Sequence, residues 1–232
     1  RYAYLQSVRS ESDWLVDFGA AFTEESPAES QKPHASLKRK LFSDILGAFD
    51  YDLVHTVESD QAILNQHKNE SLNLLNSSTG VSEAVYLNKG AAKLAFVGVS
   101  QNSDKNFSFL RERLLSIPSD TPAVIFSYLA ISDSILLTKK LSALRPVLVL
   151  GNDVVLERYY SEKIGNSLYV TGGDRGRFLT ILDVNFTYNF WGSVADVGEA
   201  ASDFVSIAQY HEKLPAYNKI NDVVLEWEAK NG

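Results

Sequence analysis

The sequence predicts an α/β fold whose sheet carries antiparallel neighbours. Three observations lead there. Strands and helices alternate through residue 150. "EAVYLNKGAAKLAFVGVS" sets two apolar runs around Asn88–Gly90, the pattern of a β-hairpin. "SLYVTGG" and "RFLTILDVNFTY" then read as two strands around the turn "GGDRG". The sheet is therefore mixed, or two sheets pack on each other.

Taken in order, the opening stretch reads as the end of a helix, and "WLVDFG" as a short apolar strand. Residues 23–35 are polar with two prolines, a surface loop. Leu37, Leu41, Phe42, Ile45, Leu46 and Phe49 recur at helical spacing from Ser36. "DLVHTV" reads as a strand, "DQAILNQHK" as a short helix and "SLNLLNSS" as a strand. Phe107, Leu110, Leu114 and Ile117 mark a helix over 105–117. Thr121-Pro122 introduces the strand "AVIFSYL", and Ser132 is the expected N-cap of a helix reaching Leu144. Pro146 opens the strand "VLVL", which ends at "GNDVV". Asp196 and Glu199, placed like a capping box, predict a helix over 196–213 with the stripe Val197, Ala201, Phe204, Val205 and Ala208. After Pro215 a last helix carries Ile220, Val223, Val224 and Trp227.

Bulk composition narrows the function classes. The 232 residues suit one large domain, since no linker divides them. Hydrophobic residues are 45% and charged residues 22%, ordinary for a globular chain. Apolar runs such as "PVLVL" are too short to span a bilayer, so no transmembrane segment is expected. The net charge is −7 and the basic clusters are small, which argues against nucleic acid as a partner. The absence of cysteine removes disulfides, thiolate nucleophiles and Cys-based metal sites together. The chain also lacks methionine and opens on "RYAYLQSVRS", which implies a leading segment before Arg1.

Motifs for familiar chemistry are missing. There is no P-loop, dinucleotide turn or Gly-x-Ser-x-Gly elbow, and "HEKLP" lacks the second histidine of a zinc helix. His34, His67 and His211 read as solvated or capping residues. His55, in the strand "LVHTV", reads as a half-buried histidine with a hydrogen-bond partner. Asp17, Glu58, Asp60 and Asp153 end or follow apolar strands, where carboxylates cap helices or hold hard cations.

The ordered set of motifs resembles the calcineurin-like metallophosphoesterases, specifically the catalytic domain of the 5'-nucleotidase and 2',3'-cyclic phosphodiesterase branch. "RYAYLQSVRSESDWLVDFGAAF" looks like that branch's helix and its strand ending in Asp-Ala-Gly-Asp. "LFSDILGAFDYDLVHTVESD" looks like its helix and the strand into Gly-Asn-His-Glu. "AKLAFVGVS" and "IGNSLYVTGGDRGRFLTILDVNF" look like its later strands. The resemblance covers residues 1–187. It implies two packed mixed β-sheets flanked by helices, an α-β-β-α sandwich, with a phosphoesterase-like domain over 1–190 and a helical extension over 191–232. In active members, strand-end loops supply Asp, His and Asn to two metal ions that hold phosphate and activate water.

Placed residue by residue, the resemblance implies a site without its ligands. The first motif, Asp-x-His, would lie before Arg1. The bridging aspartate of the second falls on Ala20. Gly-Asn-His-Glu falls on Val57, Glu58, Ser59 and Asp60, so the catalytic histidine is a serine. The next histidine falls on Tyr128, and Gly-His-x-His falls on Gly151, Asn152, Asp153 and Val154. Asp17, Glu58, Asp60 and Asp153 remain as weak oxygen donors.

The expectation is a degenerate, non-catalytic phosphoesterase-like domain that acts as a binding or interaction module, without a cofactor. "YNFW", with Phe190 and Trp191, is the candidate protein-interaction motif, and core packing under the last helices is its competing reading. The alternative is an active metal-dependent phosphoesterase with a carboxylate-rich site and a divalent metal. A second alternative is an anion or small-ligand binder using the "GGDRG" turn, with Gly173, Arg175 and the following Arg177. The resemblance points to export. Asn-x-Ser/Thr triplets stand at Asn69, Asn76, Asn106 and Asn185.

Overall fold

A computed structural model of the chain describes residues 10, 11, 13–17, 35–58, 60, 73–151, 160–171, 178–198, 201–206 and 219–231. The opening helix, the 23–35 loop, the short helix over "DQAILNQHK" and the turn "GGDRG" fall almost wholly outside them.

Four layers stack from the chain's own pattern. Helix α1 (Ala35–Ala48) covers a three-stranded sheet of β1 (Val16–Asp17), β2 (Leu53–Thr56) and β3 (Leu74–Asn76), all parallel. The second sheet has six strands in the order β4-β5-β6-β7-β9-β8. Its members are β4 (Val85–Lys89), β5 (Ala92–Val99), β6 (Ala123–Ser127), β7 (Val147–Gly151), β8 (Tyr160–Ile164) and β9 (Ser167–Thr171). Its outer face is covered by α2 (Asp104–Ser116) and α3 (Ile131–Ser142). The expected α-β-β-α sandwich is therefore observed.

Three apolar clusters hold the layers. Leu15 and Phe49, with Ile45 and Tyr51, pack where α1 meets the first sheet. Leu53 and Leu75 of the first sheet meet Phe96, Val124, Phe126, Leu148, Leu150, Leu168 and Val170 of the second. Leu110 and Leu114 of α2, and Leu137 and Leu141 of α3, meet Val97, Ile125 and Val149. Central strands β6, β7 and β9 are buried along their whole length, as expected for strands covered on both faces.

His55 lies between the sheets with no exposure, deeper than its sequence suggests. Its Nε2 lies 2.7 Å from Ser77 Oγ, and its ring meets Phe126 edge-on. Gly98 of β5 makes room for it: a Cβ there would lie 2.6 Å from His55 Nε2 and 3.2 Å from the Ser77 Cβ.

The structure redraws several local expectations. The β4–β5 turn is Gly90-Ala91, one step later than Asn88–Gly90, because Lys89 still pairs with Ala92. Helix α3 starts at Ile131, so Ser132 lies inside it and Ala130 takes the N-cap position without a side-chain bond. Ser134 fixes that start by bonding Ser127 Oγ at 2.8 Å beneath the helix. Strand β8 and its hairpin to β9 through Gly165-Asn166 were not expected.

The largest revision concerns 196–213. Its described part is not helical. Val194–Val197 (β12) pairs antiparallel with Phe186–Tyr188 (β11), and Ala201–Ser206 (β13) with Phe178–Asp183 (β10). Asp196 caps no helix; its carboxylate meets Lys163 at 2.9 Å. Both pairings bridge residue 190. The chain closes with α4 (Lys219–Asn231), which lies against α1.

Candidate functional site

Parallel strands align their carboxyl ends, so β1, β2, β6 and β7 deliver their following turns to one side of the sandwich. Asp17 closes the described part of β1, in register with Val54. After β2 the chain turns at once. The Val57 N–H donates to the Asp60 carboxylate at 2.9 Å, and the Asp60 N–H donates to the Val57 carbonyl at 3.1 Å. Asp60 is fully buried by this exchange, while Glu58 stands exposed. One turn thus splits two neighbouring acids into a backbone-capping carboxylate and a solvated one.

Across the cleft, Tyr128 follows β6 directly and its N–H donates to the Val99 carbonyl at 2.8 Å. Gly151 ends β7, level with Ser127 and Thr171. A Cβ at Gly151 would run into the Tyr169 hydroxyl, so the phenol occupies the space beside Gly151 on the helix-covered face of the sheet. Ser127 is bonded to Ser134. The Thr56 and Thr171 hydroxyls are buried without a hydrogen bond. Among the described residues, no three His, Cys, Asp or Glu side chains converge as a metal-binding group.

Of the residues singled out from the sequence, Asp17, Glu58, Asp60 and Tyr128 are thus placed at this side. Ala20, Ser59, Asn152, Asp153 and Val154 lie outside the described residues, as do Gly173, Arg175 and Arg177 and the histidines His34, His67 and His211. Phe190 and Trp191 are placed far from it, at the tip of the β11–β12 hairpin, 94% and 85% exposed. That exposure excludes packing under the last helices. Asn106 is buried and its side-chain amide donates to the Gln101 carbonyl, which closes its glycosylation triplet; Asn76 and Asn185 are exposed, and Asn69 lies outside the described residues.

Sequence reading missed one element of this region, the role of Tyr169. Alternation in "SLYVT" places it on the helix-covered face, but its reach over Gly151 depends on two neighbouring strands and leaves no local signal.

Two sheets face to face, helices outside and turns gathered at the carboxyl ends of the strands are the fold of the calcineurin-like metallophosphoesterases, in the form found in 5'-nucleotidases. Solved structures set the likeness. Sulfate thiohydrolase SoxB of Thermus thermophilus superposes with a TM-score of 0.66 at 12% identity, over 99% of this chain and 46% of that one. A putative 5'-nucleotidase of Staphylococcus aureus gives 0.67 at 11% identity, over 98% and 52%. The calcineurin-like phosphoesterase YfkN of Bacillus subtilis gives 0.61 at 12% identity, over 99% and 87%. The chain spans about half the length of the first two. No protein-family model matches the chain, and no curated protein does.

Of the donor-bearing side chains matched to this fold's metal-site motifs, Glu58, Asp60 and Tyr128 lie among the described residues. A dinuclear metal centre needs imidazole and carboxylate donors turned into the cleft. Here Asp60 is buried against its own backbone, Glu58 is solvated, and a phenol stands at 128.

Proposed function

We propose that this domain is a non-catalytic form of the phosphoesterase fold that serves as a binding or interaction module. The observation that supports the reading best is the turn after β2. There the carboxylate nearest the expected catalytic position, Asp60, is buried and accepts the Val57 N–H. Without an imidazole at 59 there is no ready general acid for a leaving alcohol. With Ala20 in the bridging position, one side chain that would hold two metals apart stops at a methyl group.

The test uses the purified chain. Metal content is measured after incubation with Mn²⁺ or Zn²⁺, alongside turnover of bis(p-nitrophenyl) phosphate. Sub-stoichiometric metal and no turnover are expected. Stoichiometric, tightly held metal with turnover would overturn the reading in favour of an active, carboxylate-rich site built on Asp17, Glu58 and Asp60.

A further inference from the structure

The β11–β12 hairpin carries the most exposed apolar side chains among the described residues. Phe190 and Trp191 sit side by side at its tip with ring centroids 5.5 Å apart in a T-shaped pair. Tyr188, at the base, is 48% exposed. From Val184 to Ala195 the sequence holds no Asp, Glu, Lys or Arg.

The tip is built to stand outward. Asn189 Oδ1 accepts both the Trp191 and Ser193 N–H groups at 3.0 Å, and the Asn189 carbonyl accepts the Gly192 N–H at 3.0 Å. Gly192 takes the left-handed φ of 82° that closes this turn. The hairpin is moored at the amino ends of the six-stranded sheet. Val194 N–H donates to Ser119 O ahead of β6, and Val197 N–H to Asn166 O ahead of β9. The aromatic tip therefore projects from the end opposite the cleft. At that same end the last turn of α2 leaves Leu115 57% exposed.

We infer that this hairpin tip is a lipid-interface anchor: Phe190 and Trp191 insert among the headgroups of a zwitterionic bilayer and leave the cleft facing the solvent. Three features favour lipid over a protein pocket. The tip stands clear of the domain, with Phe190 and Trp191 94% and 85% exposed, and its own segment 184–195 carries no charged side chain. Its aromatic set of Tyr, Phe and Trp is the composition of a bilayer's interfacial belt. Charge selects the lipid. The chain's net charge is −7 and Asp120 lies beside Tyr188, so an anionic surface is repelled. Burial, then Asp120, raises the Tyr188 pKa, so its phenol stays neutral. No helix of the described residues is long and apolar enough to cross a membrane. The inference is independent of whether the cleft is catalytic.

Flotation of the whole chain with phosphatidylcholine vesicles tests it. The wild type is expected to float with them, with tryptophan fluorescence quenched by brominated phosphatidylcholine. The double variant Phe190→Ser/Trp191→Ser should bind about tenfold more weakly, the loss of about 1.4 kcal/mol. Its thermal midpoint should be unchanged, since both side chains are exposed. Adding phosphatidylserine should weaken binding. No flotation of the wild type overturns the inference. So does equal flotation of the double variant, or binding that appears only with phosphatidylserine.

Discussion

The two ends of the sandwich are built on different principles. At the carboxyl end, the groups are closed by local packing. Asp60 caps its own turn, Ser127 bonds Ser134, and the Tyr169 phenol occupies the room that Gly151 leaves. At the amino end, one cation ties separate loops together. The Arg145 guanidinium donates to the carbonyls of Leu114 and Ile117 at 3.0 and 2.9 Å through Nη1, and to Pro118 and Thr121 at 3.3 and 2.8 Å through Nη2. It thereby satisfies the carboxyl end of α2 and fixes the loop on which the aromatic hairpin is moored. Burial lowers its pKa from the ordinary guanidinium value, with Tyr86 opposing. The comparison teaches that the described groups at the carboxyl end are held by short local contacts, while the opposite end is braced by one cation that spans several loops.

The largest expected effect is at the brace. Arg145→Ala removes four charge-assisted bonds, three of them part-buried, and should lower stability by about 3 kcal/mol in urea unfolding. Arg145→Lys should recover only a minor part, since an ammonium lacks the fork that reaches two pairs of carbonyls. A loss below that of the next variant would break the contrast between the ends.

Gly151→Ala comes next. Its methyl group meets the Tyr169 hydroxyl and should cost about 2 kcal/mol through overpacking. Adding Tyr169→Phe should return part of that loss, a non-additivity visible in a double-mutant cycle. Strict additivity would mean that the phenol does not occupy the space beside Gly151.

Asp60→Ala should have the smallest effect, about 1 kcal/mol, because it removes a turn cap and leaves the Val57 N–H without its acceptor. Metal content should not change. A drop in bound Mn²⁺ on this substitution would sharpen the comparison in the other direction, by giving Asp60 a role in the cleft.

Much of the layer order was legible in the sequence, and the reasons are physical. Helical spacing from Leu41 to Phe49 and the unbroken apolar runs of β6 and β7 report burial directly, because each period matches one backbone geometry. The stretch 194–206 was not legible. Val197, Ala201, Phe204 and Val205 satisfy a helical stripe, yet cross-strand bonds to β10 and β11 outweigh that local preference. The strand-end acids were legible as acids at strand ends. The division of labour between Glu58 and Asp60 was not, because it depends on which carboxylate faces its own backbone. The exposure of Phe190 and Trp191 was also hidden, since aromatic residues suit a core and a surface equally by composition.

Beneath both ends lies the His55 ring, seated against Gly98 between the two sheets. The apolar side chains of the two layers interdigitate around it. A ring held in a glycine notch works as a locating pin, admitting one lateral position of the first sheet over the second. The separation between the β2 turn with Glu58 and the β6 turn with Tyr128 is thereby set from inside the sandwich, whatever sequence the loops around the cleft adopt.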